Sequence, residues 1–179
     1  MSTEDPKIER LWAPWRLEHI QAANKDRENK NFCPFCEIAS EACSENNLKL
    51  YQSKHCFVVM NKFPYNPHHL LVIPNIHCAM LNEVNSEVWQ DLSSCIKASC
   101  DLIMERVKPH GMNVGLNMGK AGGASIAGHL HFHLLPRWEG DTNFMPLLAE
   151  AKSIPVHNLS VYKNLETHFA DFDKFLKQT

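Results

Sequence analysis

The chain has 179 residues, 44% hydrophobic and 21% charged, the composition of one globular domain long enough to bury a core without disulfides. Lys plus Arg number 18 against 20 acids, a net charge of −2, so the broad basic footprint of a nucleic-acid binder is not expected. No run approaches the ~18 apolar residues of a membrane helix. The first residues, Met1-Ser2-Thr3-Glu4-Asp5, are polar and acidic and do not read as a signal peptide. The seven cysteines, an odd number, are therefore expected as reduced thiols in a cytoplasmic protein, some of them on metal.

Residues 1–31 read as an N-terminal arm with one apolar knot, Leu11-Trp12-Ala13-Pro14-Trp15, followed by a polar stretch over 24–31. The body spans 32–147. Leu48–Tyr51 and Cys56–Met60 read as strands around a turn at Ser53-Lys54. Pro64, Asn66 and Pro67 mark Asn61–His68 as a loop, and His69–Ile73 as the next strand. A long helix then starts at Asn85 or Ser86, with Val88, Leu92, Cys95, Ile96, Leu102, Ile103 and Val107 in helical register, and ends at Pro109 and Gly111. Met112–Leu116 is a strand, Gly119–Gly128 a glycine-rich loop, and His129–Leu135 a strand stopped by Pro136. Residues 148–179 form a helical tail, with a stripe of Leu165, Phe169, Phe172 and Leu176. This order predicts an α+β domain with an antiparallel meander.

The last strand carries the chemistry. In His129-Leu130-His131-Phe132-His133-Leu134-Leu135, alternate residues face opposite ways, so three imidazoles share one face and Leu130, Phe132 and Leu134 the other. A chain of this composition would hold His-x-His-x-His about 0.04 times by chance, too rarely for the pattern to be dismissed as coincidence. Such a face suits a metal, or a neutral imidazole attacking an electrophile. The neighbours favour attack on phosphorus: small residues upstream let backbone N–H groups approach phosphate oxygens, and Arg137 downstream has the planar fork of a phosphate clamp. The loop has neither P-loop nor Rossmann spacing.

The segment His129–Leu135 resembles the signature of the histidine-triad (HIT) family of nucleotidyl hydrolases and transferases. Pro136-Arg137-Trp138-Glu139-Gly140-Asp141 resembles the extension found in its dinucleoside-polyphosphate-cleaving branch. Asn61–Pro74 is similar to the family's nucleoside-side loop and strand, and Leu11–Arg16 with Asn143-Phe144 to bacterial members of that branch. The resemblance implies about five antiparallel strands, a long central helix and a C-terminal helix. It implies His131 as the nucleophile on an α-phosphate, forming a nucleotidyl-histidine. His133 would serve the leaving-group side, and His129 would support the ring or bind metal. Asn61 would sit by the ribose, Asn117 would hold phosphate oxygens or help orient the nucleophile, and Ser125 would offer one hydroxyl on the leaving-group side. By residue type, Arg137 either clamps a polyphosphate chain or pairs with Asp141 to fix the turn. Two departures stand out: Ser125 or its neighbours fall where many members have Gln, and His68 where the family usually has Gly.

Cys33-Pro34-Phe35-Cys36 is half of a structural zinc site or simply two thiols. Bacterial HIT proteins with this pair imply His77 and His129 as the other ligands, closing a structural zinc centre. The resemblance also implies a homodimer through the central helix, and Trp89 and Met104 lie off its buried stripe. Other readings remain open at this stage: a nucleoside phosphoramidase, a slow-turnover nucleotide-binding regulator, or a zinc module without activity. No nucleic-acid polymer or membrane partner is expected.

Overall fold

The computed structural model describes residues 32–142 and 158–178. The N-terminal arm, the Asn143-Phe144 pair and the start of the tail lie outside them. Among the described residues, ten elements follow in order. Helix α1 is Pro34–Ser40, and strands β1 to β3 are Lys49–Gln52, Cys56–Met60 and Leu70–Pro74. A 3-10 turn at Leu81–Glu83 leads into α2, Ser86–Arg106. Strands β4, Gly111–Leu116, and β5, Phe132–Arg137, precede α3, Asn158–Phe169, and α4, Phe172–Leu176.

All strand pairs are antiparallel, in the order β1-β2-β3-β5-β4. After β3 the chain crosses along α2 and enters the far edge as β4, and β5 then fills the gap. Strands β2 and β3 are buried at every residue, because both faces of the sheet are covered. One face packs on α2, α3 and α4 through Val58, Leu92, Leu102, Leu134, Leu165 and Phe172. The other holds Phe57, Val59, Leu71 and Ile73 under Phe35 of α1. Among the described residues, no helix is long and apolar enough to cross a membrane.

Helix α2 begins as expected: the Asn85 side chain accepts the Val88 N–H at 2.9 Å, satisfying one of the free donors of the first turn. Three expectations need correction. The triad segment becomes a strand only at Phe132, not His129. Pro136 does not stop it. The Arg137 carbonyl accepts from His110 N–H on the β4 side, so Pro136 faces the β3 side, where pairing ends at Leu70 and Leu134. A residue without N–H costs no ladder bond there. The single C-terminal helix is two, broken at Ala170-Asp171, with Phe169 and Phe172 stacked across the break at 4.7 Å.

Helix α1, which has only seven residues, was not foreseen. It is held at its C-terminal end by Lys49, a fully buried lysine. Its ammonium donates to the carbonyls of Ile38 (2.7 Å), Ala39 (3.4 Å) and Glu41, and to the Gln52 side chain (2.7 Å). Burial pushes its pKa below the ordinary lysine value, and these oxygens offset the desolvation. Lys49→Met should cost on the order of 3 kcal/mol by leaving the carbonyls unpaired, read as a lower midpoint in chemical denaturation.

Candidate active site and metal centre

The fold brings five histidines together on the α1 side of the sheet. His131 stands just before β5 and His133 within it, opposite Leu71 of β3 and Gly115 of β4. A side chain at Gly115 would meet nothing within 4 Å, so the sheet is open beside His133. His131 is 3% exposed, and its ring lies 5.0 Å from that of His133.

Tautomers follow from the partners. His131 Nδ1 lies 2.8 Å from the His129 carbonyl, which only accepts, so Nδ1 carries the proton and Nε2 keeps a lone pair. His69, fully buried before β3, receives the Tyr65 N–H at Nδ1 (3.1 Å). It also receives the Asn61 amide (3.3 Å), whose oxygen is occupied by the Phe63 N–H. An imidazole nitrogen that accepts is unprotonated, so His69 carries its proton on Nε2 and donates it to His133 Nδ1 at 2.9 Å. His133 is left with a proton on Nε2. Among the described residues, the site therefore pairs one imidazole with a free lone pair and one with a free N–H. Burial keeps both neutral, lowering the His131 pKa, and with the His131 charge takes that of His133 down to about 4.

His69 was not singled out from sequence. The available signal was a histidine at the head of an otherwise apolar strand. Tyr65 lies nearly parallel to His133 at 5.9 Å and is half exposed. His68 occupies the left-handed region at φ 59°, which explains why glycine suits that position.

The second centre joins α1 to the triad. The ligand atoms of Cys33, Cys36, His77 and His129 all lie within 4.8 Å of one another. His129 Nδ1 faces Cys33 Sγ at 3.3 Å and Cys36 Sγ at 3.6 Å, and His77 Nδ1 faces Cys36 Sγ at 3.3 Å. His129 Nε2 lies 2.9 Å from the Pro74 carbonyl, so it carries the proton and aims the Nδ1 lone pair at the thiols. A backbone carbonyl orienting a ligand histidine is the usual support of a metal site. These residues can hold a metal ion. Burial pushes the Cys36 thiol up to about 11, so a cation would have to displace its proton. Both ring nitrogens of His129 are engaged, so it serves His131 through its carbonyl rather than by proton transfer.

The remaining candidates sit around this core. Asn61 braces His69. Asn117 follows β4, with its amide 3.8 Å from where a side chain on Gly123 would begin, and Ser125 is exposed in the loop. Gly122 has no alternative, since a Cβ would lie 2.4 Å from the Met118 carbonyl oxygen. Arg137 lies on the triad face but is paired. It donates to both Asp141 oxygens at 2.7 Å, to Asn113 at 2.7 Å and to Thr142 at 3.2 Å. Asp141 also accepts from the Asn66 amide (2.6 Å) and the Trp138 N–H (3.1 Å). Those bonds hold its carboxyl below the usual range, so its stabilisation exists above ordinary carboxylate titration and is lost as pH falls through it. Asp141→Asn should cost about 1–2 kcal/mol at neutral pH. The gap from the native protein should close in acid, as read from melting temperatures across pH.

A further cluster, Cys56, Asp91 and Cys95, lies between β2 and α2. There the carboxylate accepts from Ser53 Oγ (2.7 Å) and His55 N–H (2.8 Å), tying the β1–β2 turn to the helix.

The sheet presents one imidazole with a lone pair beside one that donates, with a thiol–histidine centre behind them. The HIT domain model matches residues 44–140. The chain is 35% identical over 153 residues to a Mycobacterium tuberculosis protein named AP-4-A phosphorylase, spanning 83% of this chain and 78% of that one. Its fold is similar to a Zn-bound histidine triad family protein from Mycobacterium smegmatis (24% identity, 79% and 96% of the two chains, TM-score 0.62). It also resembles a hypothetical histidine triad nucleotide-binding protein from Sulfolobus tokodaii (26%, 81% and 94%, TM-score 0.63). The chain belongs to the HIT family, and it is an enzyme of the nucleotide-processing kind.

Proposed function

We propose that the protein cleaves dinucleoside polyphosphates such as diadenosine tetraphosphate at an α-phosphate. The carrying observation is the hydrogen bond from His131 Nδ1 to the His129 carbonyl, which leaves Nε2 as a neutral nucleophile. Nε2 attacks the α-phosphorus and the bond to the bridging oxygen breaks. The His133 Nε2–H donates a hydrogen bond to the departing oxygen, and ATP leaves as the anion. An acceptor then takes the nucleotidyl group from His131, splitting one displacement into two. Asn117 and Ser125 contribute donors to the phosphate oxygens. The mycobacterial relative's name supports inorganic phosphate as acceptor.

The test is a product assay on diadenosine tetraphosphate with and without phosphate. ADP formed only with phosphate means phosphorylase, and AMP with ATP means hydrolase. Neither product, with adenosine phosphoramidate consumed instead, would replace this reading with the phosphoramidase. Tight nucleotide binding without turnover would mean a regulator.

Zinc is the ion we propose for Cys33, Cys36, His77 and His129: two thiolates and two imidazoles fill a tetrahedral structural site. One equivalent per chain is expected by elemental analysis, falling below a tenth in the Cys33→Ser/Cys36→Ser double variant. A homodimer is proposed through α2 and the β4 edge, where Trp89, Met104 and Val114 are 44%, 44% and 49% exposed. Light scattering at the 20.5 kDa monomer mass would refute it.

A further inference from the structure

We infer that the thiol–histidine centre is a positioning device for His131, acting through the Phe35 ring and the His129 carbonyl, so that metal occupancy governs turnover rather than substrate affinity. The inference rests on the proposed roles of His131 and of the centre.

Two contacts link the centre to the nucleophile. His129 offers its ring to the thiols, while its carbonyl holds the His131 Nδ1 proton at 2.8 Å. Phe35 stands between the two cysteines on α1 and is 6% exposed. Its ring lies edge-on to His129 at 5.6 Å and tilted against His131 at 5.1 Å. Phe35 has no polar atom, so it can act on His131 only by packing, as a positioning residue.

Helix α1 does not hold this arrangement by itself. Seven residues are far below the length at which a helix is stable alone. Lys49 secures its C-terminal end, whereas its N-terminal end is tied to the triad through the two thiols. Thiol–imidazole hydrogen bonds of 3.3–3.6 Å are weak links, and metal–ligand bonds are strong ones. Metal loss therefore loosens the end of α1 that carries Phe35, and both restraints on His131 relax together. A displacement of ~1 Å in a reacting group can cost about 100-fold in rate.

The experiment uses the full chain with 15N-labelled histidine in three forms: zinc-loaded, chelator-stripped, and zinc-loaded Phe35→Leu. In the zinc-loaded protein the His131 resonances should report one tautomer, protonated at Nδ1. Stripping should average the two tautomers, and zinc should restore the first. Phe35→Leu should keep one equivalent of zinc and shift the His131 resonances. Its kcat on diadenosine tetraphosphate should fall 10- to 100-fold with KM within threefold. Unchanged His131 resonances in Phe35→Leu would overturn the inference, and that arm decides even if the stripped protein unfolds. A raised KM with unchanged kcat would overturn it too, by making the ring a wall of the substrate site. A wild-type protein inactive on every nucleotide would refute the proposed function alone, because the resonances still read the coupling. Absence of zinc binding would refute the metal assignment and this inference with it.

Discussion

His131→Asn should lower turnover of diadenosine tetraphosphate by at least three powers of ten while nucleotide still binds. Asparagine can keep the bond from its amide to the His129 carbonyl that His131 Nδ1 makes at 2.8 Å. It has no second nitrogen with a lone pair, so the backbone register is retained and the nucleophile is lost. Losing a covalent nucleophile normally costs several powers of ten, because no single-step route through the same site has a comparable barrier. The buried neighbours Phe35 and His129 should tolerate the smaller side chain with little loss of stability. Turnover is measured by product formation and binding by calorimetry. Activity within ~10-fold of wild type would remove His131 as the nucleophile and leave a direct attack by water or phosphate.

Much of this site was legible in the sequence, because its period and its chemistry coincide. His131 and His133 share a face with alternate apolar residues turned inward, and that pattern survives although the strand begins only at Phe132. Cys33 and Cys36 announce a half-site by spacing, and only the fold brings His77 and His129 within reach. Two features were less legible. The sequence left Arg137 open between a phosphate and Asp141, four residues on, and the structure fills its fork with Asp141. Helix α1 offers only one apolar turn, Phe35, Ile38 and Ala39, too short a stretch to mark a helix. It exists because a buried lysine 11 residues from Ile38 caps its carbonyls and the thiols face the triad. Such an element is set by tertiary contacts, which local pattern does not carry.

His69→Phe should reduce kcat about 100-fold through a residue at second remove from the substrate. His69 fixes the His133 tautomer: Tyr65 N–H and the Asn61 amide hold its Nδ1, and Nε2–H donates to His133 at 2.9 Å. Phenylalanine, a somewhat larger ring, fills the buried site without that donor and without the acceptor for the Tyr65 N–H. His133 Nδ1 can then take the proton itself, leaving Nε2 without an N–H to hydrogen-bond the departing oxygen, and losing one such donor to developing charge costs about 100-fold or more. The distinguishing measurement varies the leaving group. An adenylate ester of an acidic phenol disperses its charge into the ring and depends less on that hydrogen bond, so its cleavage should fall less than 10-fold in His69→Phe. Diadenosine tetraphosphate should suffer the full loss, with KM changed little. His69→Gln, whose amide can donate to His133 Nδ1, should recover part of it. An equal loss on both substrates would assign His69 to packing alone, and the donor for the leaving group would then have to be sought outside the His69–His133 pair.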